Sequence, residues 1–356
     1  MEADGLRALG NLALLRGEYP LAAERYQQSL DLSLRCGERR SLSNTLLNLG
    51  VVSLEMNHLD EAIQLYQQAL NHTRQNGDRR LEGLALGNLG EIAIRQHRMI
   101  EALDYLYQTL ALFDEIGERY GKATVSANLA EAYVLLGQFE QAQMTLEAAM
   151  TLYQQIGDRR GQSVALETYA HLLRVSGQSQ AACDVAQQAE QLAGEVGALP
   201  VQAGALVELG QAWLQAGDLP SAEQAFTRAL QHYAQLNKPA RQLEAEVGRA
   251  LCTPQMTQPE WLDGILSRLQ ALKQIGAVAR LPVLAWGCYQ VLLRAAHPDA
   301  QPVLSLAEQF LSQNAARIAD PDLRRSLLAL PTHRAILQRC GIIAQNSSSK
   351  RSSCEL

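Results

Sequence analysis

The chain has 356 residues, of which 47% are hydrophobic, 19% charged and only 5% aromatic, and its formal net charge is −6. This composition is typical of a soluble protein with a sizeable core, and the acidic balance argues against a sequence-independent electrostatic grip on nucleic acid. The acidic start, residues 1–4, lacks the features of a secretory signal, and no apolar segment reaches the roughly 20 residues of a membrane span. We therefore expect a cytoplasmic protein.

Six cysteines are dispersed along the chain without a C-x-x-C pair or a histidine at metal-ligand spacing. This pattern argues against structural zinc and against a disulfide framework, and it favours cysteines that pack as small hydrophobic residues. The sequence also holds no Ser/His/Asp motif, nucleophile elbow or Gly-rich phosphate loop. We therefore expect no metal site, no cofactor and no catalytic residues, and we predict that the protein is not an enzyme.

The sequence repeats itself every 40 residues. A small residue recurs once in each unit, and twelve residues later an alanine recurs. The small residues are Gly10, Gly50, Gly90, Ala130, Ala170 and Gly210, and the alanines are Ala22, Ala62, Ala102, Ala142, Ala182 and Ala222. A fixed period of roughly 20 to 50 residues indicates a solenoid, so the period predicts the fold class before any local pattern is considered.

Each unit is predicted to form a helix, a tight turn and a second helix. Apolar residues keep helical spacing between recurring stops, as in Leu46, Leu49 and Val52. The stops are Gly17, Asn57, His97, Gly137, Gly177 and Gly217 within the units, and Gly37, Gly77, Gly117, Gly157, Gly197 and Asn237 between them. These residue types tolerate the left-handed conformation that ends a helix.

Two polar columns follow the stops between units. Asp78 and Asp158 stand directly after a stop, where they are predicted to cap the next helix. An arginine column is expected to bond to neighbouring loop carbonyls or to the acids beside it. The arginines are Arg39, Arg79, Arg119 and Arg159, and the acids are Glu38, Asp78, Glu118 and Asp158.

The small columns predict where the two helices of a unit approach each other closely. We assign this structural role to Gly10, Gly50, Gly90 and Gly210 in the first helices, and to Ala22, Ala62, Ala102, Ala142, Ala182 and Ala222 in the second helices. A large side chain at Ala62 or Ala142 is expected to force the helices apart, at a cost of about 1–3 kcal/mol.

The pattern weakens beyond residue 240. We predict six regular repeats over residues 1–240, a degenerate seventh repeat over residues 241–276, and an eighth helix pair with C-terminal capping helices over residues 277–345. The Ser-rich tail, residues 346–356, is predicted to be disordered. The predicted fold is an all-α superhelix of about eight helix-turn-helix repeats, with a last helix that covers the end of the stack.

The repeat motif resembles that of a known family. The pattern N-L-G followed by A-x-x-x-Y-x-x-A-L, from Asn48 to Leu70, resembles the tetratricopeptide repeat (TPR), which forms a right-handed superhelix. The 40-residue period and the Gly-Asp/Glu-Arg joins resemble the long-helix subtype of this family. Residues 315–334 are similar to the end of the C-terminal TPR region of large bacterial multidomain signalling and regulatory proteins. The resemblance implies either a fragment of such a protein or a short free-standing repeat protein.

The resemblance also implies a binding face. In TPR proteins the first helices line the concave side, where three successive asparagines would bond to the backbone of an extended peptide and the carboxylates would favour a basic segment. The predicted partner-binding residues are Asn11, Asn48, Asn88, Asn128, Glu91, Glu131 and Arg95. Two other interpretations stay open: the asparagines stabilise neighbouring helices, and the charged residues form a solvated helix face with an i,i+4 pair that contributes about 0.2–0.5 kcal/mol.

The function implied by the resemblance is that of a non-catalytic scaffold or sensor module, which binds a partner polypeptide in its concave groove and contacts neither nucleic acid nor membrane directly. Two alternatives are a free-standing regulator that responds to a peptide signal, and a structural module that self-associates through its uncapped N-terminal repeat. Binding of chaperone tails is not expected, because Leu84 and Asn88 stand where that class of TPR proteins has cations.

Overall fold

The structure is a computed structural model, and it describes residues 2–37, 39–236, 238–253, 259–274 and 279–343. All regular elements within these ranges are helices. In chain order they are α1 (Glu2–Leu15), α2 (Tyr19–Cys36), α3 (Arg39–Glu55), α4 (Leu59–Asn76), α5 (Arg79–Arg95), α6 (Met99–Ile116), α7 (Arg119–Leu136), α8 (Phe139–Ile156), α9 (Arg159–Val175), α10 (Ser179–Glu195), α11 (Leu199–Ala216), α12 (Leu219–Tyr233), α13 (Pro239–Cys252), α14 (Pro259–Asp263), α15 (Ile265–Gln274), α16 (Leu281–Arg294), α17 (Ala300–Ala316), α18 (Pro321–Ala329) and α19 (Pro331–Arg339). None of these described helices is both long enough and apolar enough to span a membrane.

The helix ends form as the sequence predicts. Asn57 and His97 adopt positive φ angles of 62° and 54°, and the predicted glycine stops are left-handed as well. Asp78 accepts a hydrogen bond from the backbone N–H of Leu81, and Asp158 accepts one from Gly161, so both predicted N-caps are confirmed. The remaining stop, Asn237, lies outside the described residues.

The small residues of the first helices lie directly against large side chains of the second helices. A Cβ added to Gly50 would lie 2.4 Å from Cε1 of Tyr66, whose ring is fully buried. Gly10, Gly90 and Gly210 meet Tyr26, Leu106 and Phe226 in the same way. The six alanines of the second helices are buried too. Any side chain at the four glycines would therefore have to displace a packed neighbour.

The arginine column makes different bonds from those expected. Its members cross to the last turn of the following second helix instead of bonding to the loop acids. The pairs are Arg79–Glu115, Arg119–Gln155 and Arg159–Glu195, each 36 residues apart. The reason is local, because the neighbouring acids Asp78, Glu118 and Asp158 accept bonds from backbone N–H groups in the first turn of their own helices. Glu38 and the side chain of Arg39 lie outside the described residues.

The C-terminal helices do more than cover the end of the stack. Helix α19 packs against α16 and α17 as an end cap would, but α18 packs against α7 in the middle of the solenoid. Ile318 and Leu327 are fully buried in one apolar cluster with Leu106 and Leu136. The superhelix therefore curls so far that its end meets its own middle repeats.

Candidate binding cavity

A cavity of about 390 Å³ lies on the inner side of the superhelix. One wall comes from the first helices of four consecutive pairs, α5, α7, α9 and α11, and it includes the apolar side chains of Ile94, Leu135, Val164 and Val201. In each pair the small residues of the first helix face the second helix, so the opposite side of the first helix is left to line the cavity. Successive first helices thus present one continuous surface.

The opposite wall comes from the C-terminal half of the chain, at residues 238–241 and 279–280. Lys238 Nζ lies 2.8 Å from Glu55 Oε2, and the backbone N–H of Ala279 donates to the carbonyl of Arg95 over 3.2 Å. These contacts narrow the open groove of a solenoid to a cavity near the lower end of the usual range for ligand pockets, about 300–1,000 Å³. The cavity has room for a short extended segment and is too small for a folded domain.

Three of the predicted binding residues line this cavity. Glu91 and Arg95 of α5 pair with each other, with Arg95 Nη2 donating to Glu91 Oε1 over 2.6 Å. Glu131 of α7 is half-buried in the wall. It makes no hydrogen bond or close ion pair with the residues that the structure describes, although its charge acts on Arg95. Glu131 is thus the carboxylate in the wall that a ligand can engage at no cost to an existing bond.

The predicted asparagines do not line the cavity wall. Asn48 Nδ2 donates to Asn11 Oδ1 over 3.0 Å, and the hydroxyl of Tyr26 donates to the same oxygen over 2.7 Å. Asn88 and Asn128 are half-buried on α5 and α7. The structure therefore separates the predicted face into a charged part within the cavity and an asparagine part outside it, and the binding role of both parts remains a prediction.

A buried ion cluster that the sequence analysis did not predict lies behind the wall. Glu208 is 1% exposed and accepts hydrogen bonds from Arg174 Nε over 2.8 Å and from Arg280 Nη1 over 3.3 Å. Burial alone would raise the pKa of Glu208, but the charges of Arg174 and Arg280 outweigh it and hold this pKa well below its usual value. The cluster fixes Arg280, and with it the C-terminal wall, against α9 and α11.

A second carboxylate, Glu167 of α9, lies in the wall itself. It accepts a hydrogen bond of 3.3 Å from Arg241, whose other Nη donates to Glu244. Burial raises the pKa of Glu167 to about 7, and the charges of Glu208 and Glu131 add to the rise against the opposing effect of Arg241 and Arg280. Glu167 therefore exchanges a proton near neutral pH.

The sequence carried a partial signal for these missed residues. Glu208 occupies the same repeat position as Asn48, Asn88 and Asn128. The repeat register therefore already indicated a charged residue at that inward position. Arg241 and Arg280 carried no such signal, because they lie outside the regular repeats and their partners are 74 and 72 residues away along the chain.

The comparisons with known proteins agree with the repeat architecture. Residues 2–75 and 81–155 match the family model of the tetratricopeptide repeat. None of the curated proteins matches the chain in sequence. Among solved structures, the fold is similar to a Rap protein complexed with competence and sporulation factor, at 12% identity over 89% of this chain and 99% of that chain, with a TM-score of 0.67.

Two further solved structures share the fold. NprR in complex with its cognate peptide NprX is 16% identical over 96% of this chain and 100% of that chain, with a TM-score of 0.57. A Signal Transduction ATPase with Numerous Domains (STAND) protein from Pyrococcus horikoshii, which has a tetratricopeptide repeat sensor, is 15% identical over 90% of this chain and 50% of that chain, with a TM-score of 0.52. Residues 2–75 and 81–155 thus carry tetratricopeptide repeats, and the chain as a whole shares its fold with these solved structures.

Proposed function

We propose that the chain is a non-catalytic binding module that takes up a segment of a partner polypeptide on the concave side of its superhelix. The observation that carries this proposal is the cavity itself, because four consecutive first helices and the C-terminal wall surround one space of peptide dimensions. The complex of NprR with its cognate peptide supports it, since that protein has the same fold.

The cavity suits a peptide for two reasons. Apolar side chains such as Ile94, Leu135 and Val201 can bury the side chains of a ligand, and the charged groups between them can bond to polar ligand atoms. An extended segment offers both kinds of group at a small ordering cost when it is short. Asn88 and Asn128, which lie on two of the wall-forming helices, would bond to the backbone of a longer ligand that continues out of the cavity.

The biological setting that we infer is a cytoplasmic bacterial signalling or transcription-regulatory protein, in which this module acts as a sensor or scaffold. The tetratricopeptide repeat sensor of the STAND protein supports this setting by its similar fold. A free-standing regulator that responds to a peptide signal uses the same cavity. The two settings differ in whether an effector domain belongs to the same protein.

Selection from a random peptide library on the immobilised protein tests the proposal. We expect selected peptides to bind the wild type, and to bind the triple variant Asn48→Ala, Asn88→Ala and Asn128→Ala more weakly, while the circular dichroism of the variant stays helical. Asn71→Ala on the exposed face of α4 serves as the control and is expected to bind as the wild type does. Equal binding by the triple variant would remove the asparagines from the site, and a failure to select any peptide would reject the function.

One observation favours a second function, self-association through the first repeat. Leu9 and Leu12 are 54% and 46% exposed, whereas their equivalents Leu49 and Val52 in the second repeat are 7% and 1% exposed. Leu49 and Val52 are covered by the preceding helix pair, and a second copy of this chain would cover Leu9 and Leu12. The molecular mass measured by light scattering is then expected to rise with concentration in the wild type. In the double variant Leu9→Gln/Leu12→Gln it is expected to stay at the monomer value. A monomer at all concentrations would reject this function.

A further inference from the structure

The charged groups in and behind the cavity wall do not balance. Among the described residues, the carboxylates are Glu55, Glu91, Glu131, Glu167, Glu208 and Glu244, and the cations are Arg95, Arg174, Lys238, Arg241 and Arg280. Each of the cations lies within 4 Å of a carboxylate. Burial lowers the pKa of the adjacent His171, which therefore adds no charge at neutral pH. One carboxylate is left in excess.

The carboxylate that lacks a close cation lies on the cavity surface. The lining cations Lys238 and Arg280, by contrast, are paired with Glu55 and Glu208 outside the lining. Glu91 accepts a hydrogen bond of 2.6 Å from Arg95. Glu208 accepts bonds from two cations, at 2.8 Å from Arg174 and at 3.3 Å from Arg280. Glu131 is left without a close cationic partner in the described part of the chain, and Glu167 shares Arg241 with Glu244 through a bond of 3.3 Å. An uncompensated carboxylate in a half-buried wall is unfavourable, and a ligand cation placed there removes that cost.

The proton on Glu167 is consistent with this imbalance. At neutral pH the folded chain offsets part of its excess negative charge by protonating Glu167, because burial raises the pKa of this group to about 7. A cation beside Glu131 and Glu167 would also offset the excess negative charge, and it would lower the pKa of Glu167. Binding of a cation is then coupled to release of a proton.

We propose that the ligand of this cavity presents a cationic side chain, an arginine guanidinium or a lysine ammonium, to Glu131 and Glu167. The proposal rests on the peptide-binding function above and states which peptides that function accepts. Leu135 of α7 and Val164 of α9 line the same cavity and can pack against the methylene groups of such a side chain. A peptide with only acidic or neutral side chains leaves Glu131 unpaired.

Tripeptide pools test the proposal on the full chain. The probes are acetylated and amidated tripeptides with random outer residues and a central Arg, Lys, citrulline or Glu, where citrulline is the neutral isostere of arginine. In calorimetric titrations we expect the Arg and Lys pools to bind on the order of tenfold more tightly than the citrulline pool, since a charge-assisted bond replaces a neutral one. The Glu pool is expected to bind more weakly still.

Two variants locate the preference. Glu131→Gln is expected to bring the Arg pool down to the affinity of the citrulline pool while leaving citrulline binding unchanged. The matched control is Glu140→Gln, which removes the same charge from an exposed position on α8 outside the cavity and is expected to keep the full preference. Titrations of the Arg pool near pH 7 in buffers of different ionisation enthalpy are expected to show proton release in the wild type and none in Glu167→Gln.

The outcomes separate this inference from the function on which it rests. Equal affinity for the Arg and citrulline pools, or a preference that survives Glu131→Gln, overturns the cation inference and leaves peptide binding intact. No binding by the Arg and Lys pools also overturns it, while peptides selected from the library would still support the broader function. If no library peptide binds either, both proposals fail.

Discussion

Gln138 Nε2 donates a hydrogen bond of 2.7 Å to Ser326 Oγ, and so joins two residues that are 188 positions apart in the chain. Arg317 makes a parallel link by donating to the carbonyl of Gln96 over 2.6 Å. We call residues 315–330 the C-terminal arm. Its apolar residues, including the fully buried Ile318 and Leu327, pack against side chains of α5, α6 and α7. The arm thus ties the C-terminal end of the superhelix to its middle repeats, an arrangement that we call the closed form.

The closed form can be weakened at Gly137. A Cβ on Gly137 would lie 2.8 Å from the carbonyl oxygen of Ser326, whereas a Cβ on Gly157 would meet nothing within 4 Å, and both residues have a φ of 72°. Gly137→Ala and Gly157→Ala therefore carry the same backbone strain, and only the first also displaces the arm. Limited proteolysis is expected to cut residues 300–343 faster in Gly137→Ala. Equal cleavage of the two variants would show that the arm does not depend on this contact.

Acid should loosen the same region through His97. Burial lowers the pKa of His97 to about 3, and the nearby His333 of α19 and Arg317 add to the effect. Because the folded pKa lies below the unfolded value of about 6.5, the stability linked to neutral His97 is present above pH 6.5 and is lost as the pH falls toward 3.

The substitution His97→Asn tests this linkage without changing the turn, since Asn57 takes the equivalent left-handed position in the preceding repeat. Urea unfolding at several pH values between 7 and 4 is expected to show a shallower loss of stability in His97→Asn than in the wild type. His58→Asn makes the same substitution at an exposed histidine and serves as the comparison variant. Parallel slopes for the wild type and His97→Asn would contradict the account.

The sequence predicts the local features of this fold well and its closure poorly. The sequence identifies Asn57 and His97 as left-handed helix stops and Asp78 as an N-cap. These features depend only on the residue itself and its nearest neighbours. The bond between Gln138 and Ser326 depends on how tightly the superhelix curls, which is the sum of small rotations over several repeats. The pattern of residues within a single repeat does not determine this total rotation.

The same distinction holds for the cavity. The repeat register placed Glu91 and Glu131 on the inner side of the first helices, and both line the cavity. Arg241 and Arg280 reach it only because the chain returns across the groove, and their partners Glu167 and Glu208 look like isolated charges in the sequence. The part that Arg241 and Arg280 play in the charge of the site therefore emerged only from the tertiary structure.

The close helix crossings predict opposite effects for two glycine substitutions. Gly50→Ala places a methyl group 2.4 Å from the buried ring of Tyr66 and is expected to destabilise the protein by about 1–3 kcal/mol. Gly87→Ala in α5 meets only Thr109, at 3.6 Å, and is expected to stabilise it by about 0.5–1 kcal/mol through better helix propensity. Urea unfolding measures both. Similar shifts of the two variants would mean that the crossing at Gly50 is not tightly packed.

The buried ion cluster predicts a large cost for neutralising Glu208. Glu208→Gln leaves Arg174 and Arg280 without their buried carboxylate, and we expect a loss of about 3–5 kcal/mol in the free energy of unfolding. Glu101→Gln breaks only the exposed pair with Arg98 and should cost less than about 1 kcal/mol. A loss in Glu208→Gln as small as that of the control would show that the cluster contributes little to holding the C-terminal wall.

Hydrogen exchange of the full chain, with and without a library-selected peptide, tests the central claim most directly. If the peptide occupies the inner cavity, the amides of α5, α7, α9 and α11 and of residues 238–241 become protected, while those on the outer second helices α6, α8 and α10 keep their exchange rates. Protection confined to the outer second helices, with unchanged exchange around the cavity, would contradict the account.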